Sequence, residues 1–93
     1  MSSLPIKARY DEEGDVLYVS AGRAVPASVS RRARGVLLRY SDADDAPCGV
    51  TVVGLRAAGW DHELDALAQL IASHVGVAPA EVNTALNQIS LVH

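Results

Sequence analysis

Five arginines lie within residues 17–40, a segment that contains neither Asp nor Glu. A guanidinium presents a planar fork of donors that matches the oxygens of a phosphate or a carboxylate. Such a cluster in an otherwise acidic chain indicates a site for an anionic ligand or a nucleic acid. Arg23 precedes the cluster, and the candidate anion- or partner-binding residues are Arg31, Arg32, Arg34 and Arg39.

The same arginines have a simpler interpretation as charges that protect the edge of a β-sheet. A charged side chain on an edge strand or its turn blocks pairing with a second chain, and this role needs no ligand. Exposed charges contribute little to stability, so we expect replacement of Arg31, Arg32 and Arg34 by alanine to leave the fold nearly intact. Salt-dependent retention on heparin or nucleic acid would distinguish the two interpretations.

The acids near residue 45 invite a comparison with a calcium-binding loop. Asp42, Asp44 and Asp45 lie close together, but the third ligand position of such a loop falls on Ala46 and its closing acid falls on Val53. The turn glycine is also missing. These acids are therefore expected to be solvated loop residues, and the sequence predicts no metal site.

Nucleophilic or zinc chemistry would require Cys48 and the three histidines. Cys48 is the single cysteine and follows a proline at the start of a predicted strand, so it is expected to be at least half-buried. His62, His74 and His93 are far apart and match no zinc spacing. The sequence predicts no catalytic residue and no cofactor.

Composition limits the class of protein. The chain has 93 residues, enough for one domain with a thin core, and 49% are apolar although Phe is absent. The net charge of −3 argues against a general nucleic-acid binder. One cysteine excludes an internal disulfide, no apolar run is long enough for a bilayer, and the N-terminus lacks a signal-peptide core. These features predict a cytoplasmic protein.

The first part of the chain has the pattern of β-strands. Residues 6–10 alternate apolar and basic side chains, and residues 15–21 are apolar on both faces. Gly14 lies between them and is predicted to take the left-handed conformation of a hairpin turn. Residues 24–30 form a weak predicted strand that contains Pro26, which lacks an amide donor, so this segment belongs at a sheet edge or in extended coil.

The pattern changes to helical spacing in the last third of the chain. After strands at residues 36–40 and 50–55, the apolar stripe predicts a helix at residues 61–75, capped by Asp61 and ended by Gly76. A second helix is predicted at residues 79–89. The fold class is α+β in a single domain of residues 1–93: an antiparallel four- or five-stranded β-meander, residues 6–55, followed by two C-terminal α-helices.

The residues around the first hairpin carry a resemblance to a known family. Tyr10, Asp11 and residues 14–18 resemble the opening of small, mostly bacterial proteins of domain-of-unknown-function family 2283. The resemblance covers residues 6–58 and implies a fold without implying an activity. Arg39 and Thr51 depart from it, because the family typically has acids there. The other matching segments are residues 35–40, 42–45 and 49–53.

The apolar strands lead to a prediction about assembly. Val16 and Tyr18 are predicted to pack under the helix stripe, where truncation of Leu67 would be strongly destabilising. The opposite face would then expose a contiguous apolar patch that soluble monomers rarely tolerate, so we expect a homodimer that buries it. The alternative is a monomer in which the two helices divide and cover both faces of the sheet. The patch would consist of Leu17, Val19, Leu37, Val53 and Leu55.

The sequence leaves three hypotheses of function. The favoured one is a non-enzymatic interaction or regulatory module that works as a homodimer, with a protein partner encoded nearby. The alternative is an anionic-ligand or nucleic-acid binder that uses the basic segment 31–39. A small hydrolase built from the loop acids with His62 as base is the least favoured, and a membrane role is not expected.

Overall fold

The computed structural model of the chain describes residues 5–22 and 25–89. Five antiparallel strands form one sheet and two helices follow, which confirms the predicted α+β class. The strands are β1 (Ile6–Asp11), β2 (Val16–Ala21), β3 (Ala27–Arg31), β4 (Val36–Ser41) and β5 (Pro47–Val53), and the helices are α1 (Leu64–Val75) and α2 (Pro79–Asn87).

The order of strands across the sheet is β1-β2-β5-β4-β3. The meander is therefore sequential within two pieces, β1–β2 and β3–β4–β5, which join where β5 pairs with β2. β5 occupies the centre, and its Val50 and Val52 are completely buried. β3 follows Pro26 and lies at the edge of the sheet, which is one of the two alternatives that the proline indicated. Arg23 and Ala24, near the start of the predicted third strand, lie outside the described residues.

One face of the sheet packs against the helices, and β2 shows which residues lie there. Leu17 and Val19 are at most 1% exposed and share the core with Leu67 of α1. The prediction that Val16 and Tyr18 pack under the helices is wrong, because they alternate with the buried residues and point to the other face. Since β2 is apolar at both sets of positions, its two-residue period does not tell which face is inside.

The apolar patch that motivated the predicted homodimer is mostly absent from the surface. Leu17, Val19 and Leu55 belong to the core and are at most 1% exposed. Only part of the predicted patch remains on the face away from the helices, namely half-buried Leu37 and Val53, which is 49% exposed. Among the described residues, burial of Leu17, Val19 and Leu55 leaves no large apolar patch that would require self-association, while the homodimer itself stays a prediction.

α1 begins later than the sequence predicts. Trp60–His62 form a 3-10 turn, and α1 starts at Leu64 with Glu63 as the preceding residue, so Asp61 is not its N-cap. The predicted end is confirmed, because Gly76 has a φ of 78°, a left-handed conformation that glycine adopts without a steric cost. The last residues before α1 therefore form a separate turn that brings Trp60 into the core.

α2 completes the helical layer. It begins at Pro79, and the Glu81 carboxylate accepts a hydrogen bond from the amide of Ala78 at 3.3 Å, which compensates for the lack of a capping side chain. Val82 and Leu86 are buried. α1 packs over β5 and α2 packs over β1, so both helices cover the same face of the sheet.

Candidate functional site

The face of the sheet that the helices leave uncovered carries the candidate site, and we call it the open face. One row of side chains crosses all five strands: Arg9 is opposite Tyr18, which is opposite Thr51. Thr51 is opposite Leu37, and Leu37 is opposite Arg31. The row is uncharged in the middle and has an arginine at each end.

The neighbouring row of the open face has one cation at its β1 end and another on β4, one strand in from its β3 end. Lys7 is opposite Ser20, and Ser20 is opposite Gly49 at the centre of the sheet. Arg39 follows on β4, and Val29, which is 53% exposed, ends the row on β3. Two cations therefore lie on each side of an uncharged central strip.

The open face is cationic although the chain as a whole is acidic. Among the described strand residues, its four cations share the face with one acid, Asp11, at the end of β1. Glu63, Asp65 and Glu81 lie in the helical layer instead. The strand residues of the open face therefore carry an excess of positive charge, which favours contact with an anionic surface.

Two of the predicted arginines line a shallow pocket at one corner of the open face. Arg31 and Arg32 contribute the charge, and the volume is about 280 Å³. A guanidinium beside an apolar wall suits a carboxylate that is carried on an apolar stem. The remaining lining residues are Gly35, Leu37 and Val53.

Arg34 is engaged inside the chain, unlike the other predicted arginines. Its guanidinium carbon lies 3.8 Å from the centroid of the Trp60 ring, and Nη2 donates to the carbonyl oxygen of Ala58 at 2.7 Å. The same nitrogen forms an ion pair with Glu63 at 2.8 Å. Arg34 therefore holds the turn before β4 against the segment before α1. The expectation that alanine leaves the fold nearly intact rested on exposed, unengaged charges, and these contacts remove that basis for Arg34.

Asp15 organises one end of the sheet, although nothing in its local sequence distinguishes it from the other acids of the first turn. Its Oδ1 accepts a hydrogen bond from the Tyr10 hydroxyl at 2.7 Å, and its carboxylate accepts bonds from the amides of Arg56 at 3.0 Å and Ala57 at 3.2 Å. The left-handed conformation predicted for Gly14 belongs to Asp15, with a φ of 56°. Aspartate tolerates this conformation better than most residues. The carboxylate thus ties the first hairpin to the loop after β5.

The same contacts change two pKa values. Burial, the hydrogen bond to Asp15 and the charge of Asp15 raise the pKa of Tyr10 from 10.0 to about 12. Burial opposes ionisation of Asp15, but the bonds from Tyr10, Arg56 and Ala57, with the Arg56 charge, lower its pKa below the usual value. At neutral pH the pair is therefore fixed as hydroxyl and carboxylate, which suits a structural role.

The loop acids are used locally. Asp42 Oδ1 accepts a hydrogen bond from the Ser28 hydroxyl at 2.7 Å, and Asp44 Oδ1 accepts one from the amide of Ala46 at 3.1 Å. His62 lies beyond the opposite end of β4, a strand of six residues and therefore about 20 Å long. The structure does not bring the loop acids and His62 together.

The remaining candidate side chains occupy structural positions. Cys48 is half-buried in β5. His74 Nε2 donates to the carbonyl oxygen of Arg39 at 3.1 Å, and its ring packs edge-on against Tyr40, which fastens the end of α1 to β4. His93 lies outside the described residues. Within residues 5–22 and 25–89, no three His, Cys, Asp or Glu side chains form a group that could hold a metal ion.

One helical layer and one open, cationic sheet face define an α+β domain with an exposed sheet. The sequence profile of a family described as "Protein of unknown function (DUF2283)" matches residues 7–56, more than half of the chain. The chain belongs to this family, and the match runs from β1 to the loop that Asp15 holds. No match was found among curated proteins or among solved structures. In the described part of the chain, no helix is long and apolar enough to cross a membrane.

The two positions at which the resemblance implies an acid both lie on the open face. Arg39 is on β4 beside Gly49, and Thr51 is at the centre of the row between Tyr18 and Leu37. An acid at either position would reduce the positive charge of this face. With arginine and threonine there, the open face of this chain stays cationic.

Proposed function

We propose that the chain is a non-enzymatic interaction module whose open face binds an anionic surface of another protein, and that it works as a regulatory homodimer in the cytoplasm. The observation that carries the proposal is the arrangement of charge on the open face. Lys7 and Arg9 form one cationic margin, and Arg31 and Arg39 form the other. An uncharged strip lies between them.

The central strip supplies the apolar contact that a protein interface needs. Tyr18 and Leu37 lie in the middle of the open face, and Val53 is 49% exposed beside them. Protein interfaces commonly have an apolar centre inside a polar rim, and tyrosine and arginine often dominate their binding energy. An acidic partner with a few apolar side chains would match both the strip and its margins.

A nucleic acid is the second candidate for the same face, and the position of Arg9 disfavours it. Proteins that bind single strands stack the bases on exposed aromatic rings. Tyr18 is the aromatic residue of the open face among the described strands, and the guanidinium of Arg9 lies over its ring at 4.6 Å. A base would have to displace Arg9, whereas a carboxylate could pair with Arg9 where it lies.

The cytoplasmic part of the proposal is supported by cysteine usage. Cys48 is a free thiol and the single cysteine of the chain, which fits a reducing compartment. A regulatory role follows from the proposed activity, because a module that only binds acts by occupying or holding its partner.

Site-specific photocrosslinking in the native host tests the proposal. A photoreactive residue replaces Thr51 at the centre of the open face, or exposed Gln69 on α1 as the matched control. We expect position 51 to give an adduct that protease degrades and nuclease does not. Position 69 should not give this adduct. Capture from position 51 alone identifies the partner and the face together.

Charge variants complete this experiment. Arg31→Glu with Arg39→Glu should abolish the adduct, whereas Arg31→Lys with Arg39→Lys should retain most of it, because lysine keeps the charge. Equal capture at both positions, or an adduct that ignores charge reversal, would overturn the proposal. A nuclease-sensitive adduct would show that the partner bound by the open face is a nucleic acid and not a protein.

A further inference from the structure

The outer edge of β3 has backbone groups directed away from the sheet. The amide of Arg32 donates to the carbonyl oxygen of Val36 at 2.8 Å, and the amide of Asp42 donates to the carbonyl oxygen of Pro26 at 3.0 Å. Positions 26 and 32 therefore face β4, and so do Ser28 and Ser30 because the backbone alternates. It follows that Ala27, Val29 and Arg31 direct their N–H and C=O groups outward.

We propose that a second copy of this chain pairs with this edge, β3 against β3 in antiparallel orientation, with the twofold axis at Val29. In this register Val29 faces Val29 of the other copy, and Ala27 faces Arg31 in both directions. All three residues have outward backbone groups, so each opposing pair exchanges two hydrogen bonds. The pairing joins two five-stranded sheets into one.

The side chains of β3 are compatible with this register. The strand reads Ala-Ser-Val-Ser-Arg, which is symmetric about Val29 except at its ends. Val29, 53% exposed, would meet its own copy on the open face, while Ser28 would meet Ser30 on the other face. Arg31 would lie opposite Ala27, so no charge would oppose a like charge across the pair.

The other edge of the sheet shows why β3 is the edge that fits. The amide of Gly22 donates to the carbonyl oxygen of Pro5 at 2.9 Å, so Ile6, Ala8 and Tyr10 carry the outward groups of β1. Self-pairing centred on Ala8 would place Lys7 opposite Arg9 twice, and like charges directly opposite are destabilising. Charge thus disfavours this pairing of the β1 edge, whereas no such repulsion arises in the corresponding pairing of β3.

Pairing of the open faces with each other is less favourable for the same reason. It would bring the four cations of one copy against the four of the other. Edge pairing around a twofold axis perpendicular to the sheet instead keeps both open faces on the same side, where they form one surface. This inference rests on the homodimer of the proposed function and specifies its geometry. Its test is separate from that of the proposed partner, since position 51 could capture a partner on a monomer as well.

Paired charge variants at residue 29 test the proposal. Wild-type chain of 9.8 kDa should sediment as a concentration-dependent dimer of twice that mass. V29K and V29E should each be monomeric, because like charges would face each other across the axis. An equimolar mixture of V29K and V29E should recover the dimer and lose it again at high salt, since opposite charges then meet.

V53K is the matched control, because Val53 is the other large apolar residue exposed on the same face. It should remain dimeric, and circular dichroism should show all four proteins folded. Hydrogen exchange gives a second readout: the amides of Ala27, Val29 and Arg31 should gain protection as concentration rises. A wild-type monomer at high micromolar concentration, dimers that persist in V29K and V29E, or unprotected amides in the dimer would each overturn the inference.

Discussion

The indole nitrogen of Trp60 donates to the carbonyl oxygen of Arg34 at 3.0 Å, while the guanidinium of Arg34 lies over the Trp60 ring. The Trp60 side chain therefore contacts both the backbone and the side chain of Arg34. Together they join the turn between β3 and β4 to the segment that leads into α1. This contact connects the sheet to the helical layer at a point where the chain is otherwise exposed.

Removal of the Arg34 side chain should destabilise the fold, in contrast to its neighbours. Arg34→Ala loses the contact with Trp60, the ion pair with Glu63 and the bond to Ala58, and we expect a cost of about 1–2 kcal/mol in the free energy of unfolding. Arg32→Ala is the control and should change stability by less than about 0.5 kcal/mol. Urea unfolding followed by fluorescence of Trp60, the single tryptophan, measures both. Equal effects would contradict the contact.

Asp15→Asn should be more destabilising than the same change at Asp45. Both aspartates have a left-handed backbone, with φ of 56° and 57°, so the substitution leaves the conformational cost matched. Asp15 also satisfies the amides of Arg56 and Ala57, and weakening these bonds should cost about 1–3 kcal/mol. Exposed Asp45→Asn should change little. Chemical denaturation at neutral pH compares the two variants. Similar losses of unfolding free energy would contradict the structural role of the Asp15 carboxylate.

Acid should reveal the charge of Asp15. Its pKa is lowered in the folded state, so its contribution to stability is complete above the usual value of 3.8 and is lost as pH falls through the lower folded value. The stability difference between wild type and Asp15→Asn should therefore shrink with acidification. Denaturation curves of both proteins from neutral to acidic pH provide the measurement, and a constant difference would argue against the shift.

Alkali should act through Tyr10 in the opposite direction. The folded pKa is about 12 and the usual value is 10.0, so the unfolded chain releases this proton first. Stability should therefore be complete below pH 10.0 and decrease as pH rises toward about 12. Tyr10→Phe should lack this component of the slope while Tyr18 and Tyr40 remain in both proteins. Parallel alkaline slopes would contradict the hydrogen bond to Asp15.

Two valines on β2 test which face is buried. Val19→Ala removes methyl groups from a residue that is 1% exposed and should cost about 2 kcal/mol or more. Val16→Ala removes the same atoms from the half-buried open face and should cost less than about 1 kcal/mol. Leu67→Ala on α1 should cost about 2–5 kcal/mol. A larger loss of unfolding free energy for Val16→Ala than for Val19→Ala would contradict the structure and support the sequence prediction that the face of Val16 is buried.

Local patterns were sufficient for the elements themselves. The end of α1 follows from Gly76, because glycine adopts the left-handed conformation needed there without a steric cost. Pro26 indicated an edge strand or extended coil, and β3 begins directly after it at the edge of the sheet. The inward face of β2 could not be derived in this way. No polar residue marks either side of Val16–Val19, and only the arrival of α1 over the sheet decides which side is buried.

The candidate site depended more on contacts between distant residues. The sequence identified Arg31 and Arg39 as candidate binding residues. Lys7 and Arg9 could be added only once the strand order and register placed them on the same face, at the opposite edge of the sheet. Asp15 was overlooked because its amide donor on Arg56 lies 41 residues further along the chain. A carboxylate that caps a remote loop has the same local sequence as one in a solvated turn.

The central position of β5 has a consequence for synthesis of the chain. The β1–β2 and β3–β4 hairpins leave the ribosome before residues 47–53 do, and β2 and β4 then each present an apolar edge with no neighbour. Only β5 can join them, because it pairs with both. A nascent chain that stalls before Val53 consists of two hairpins without a shared sheet, a state that invites chaperone binding or aggregation.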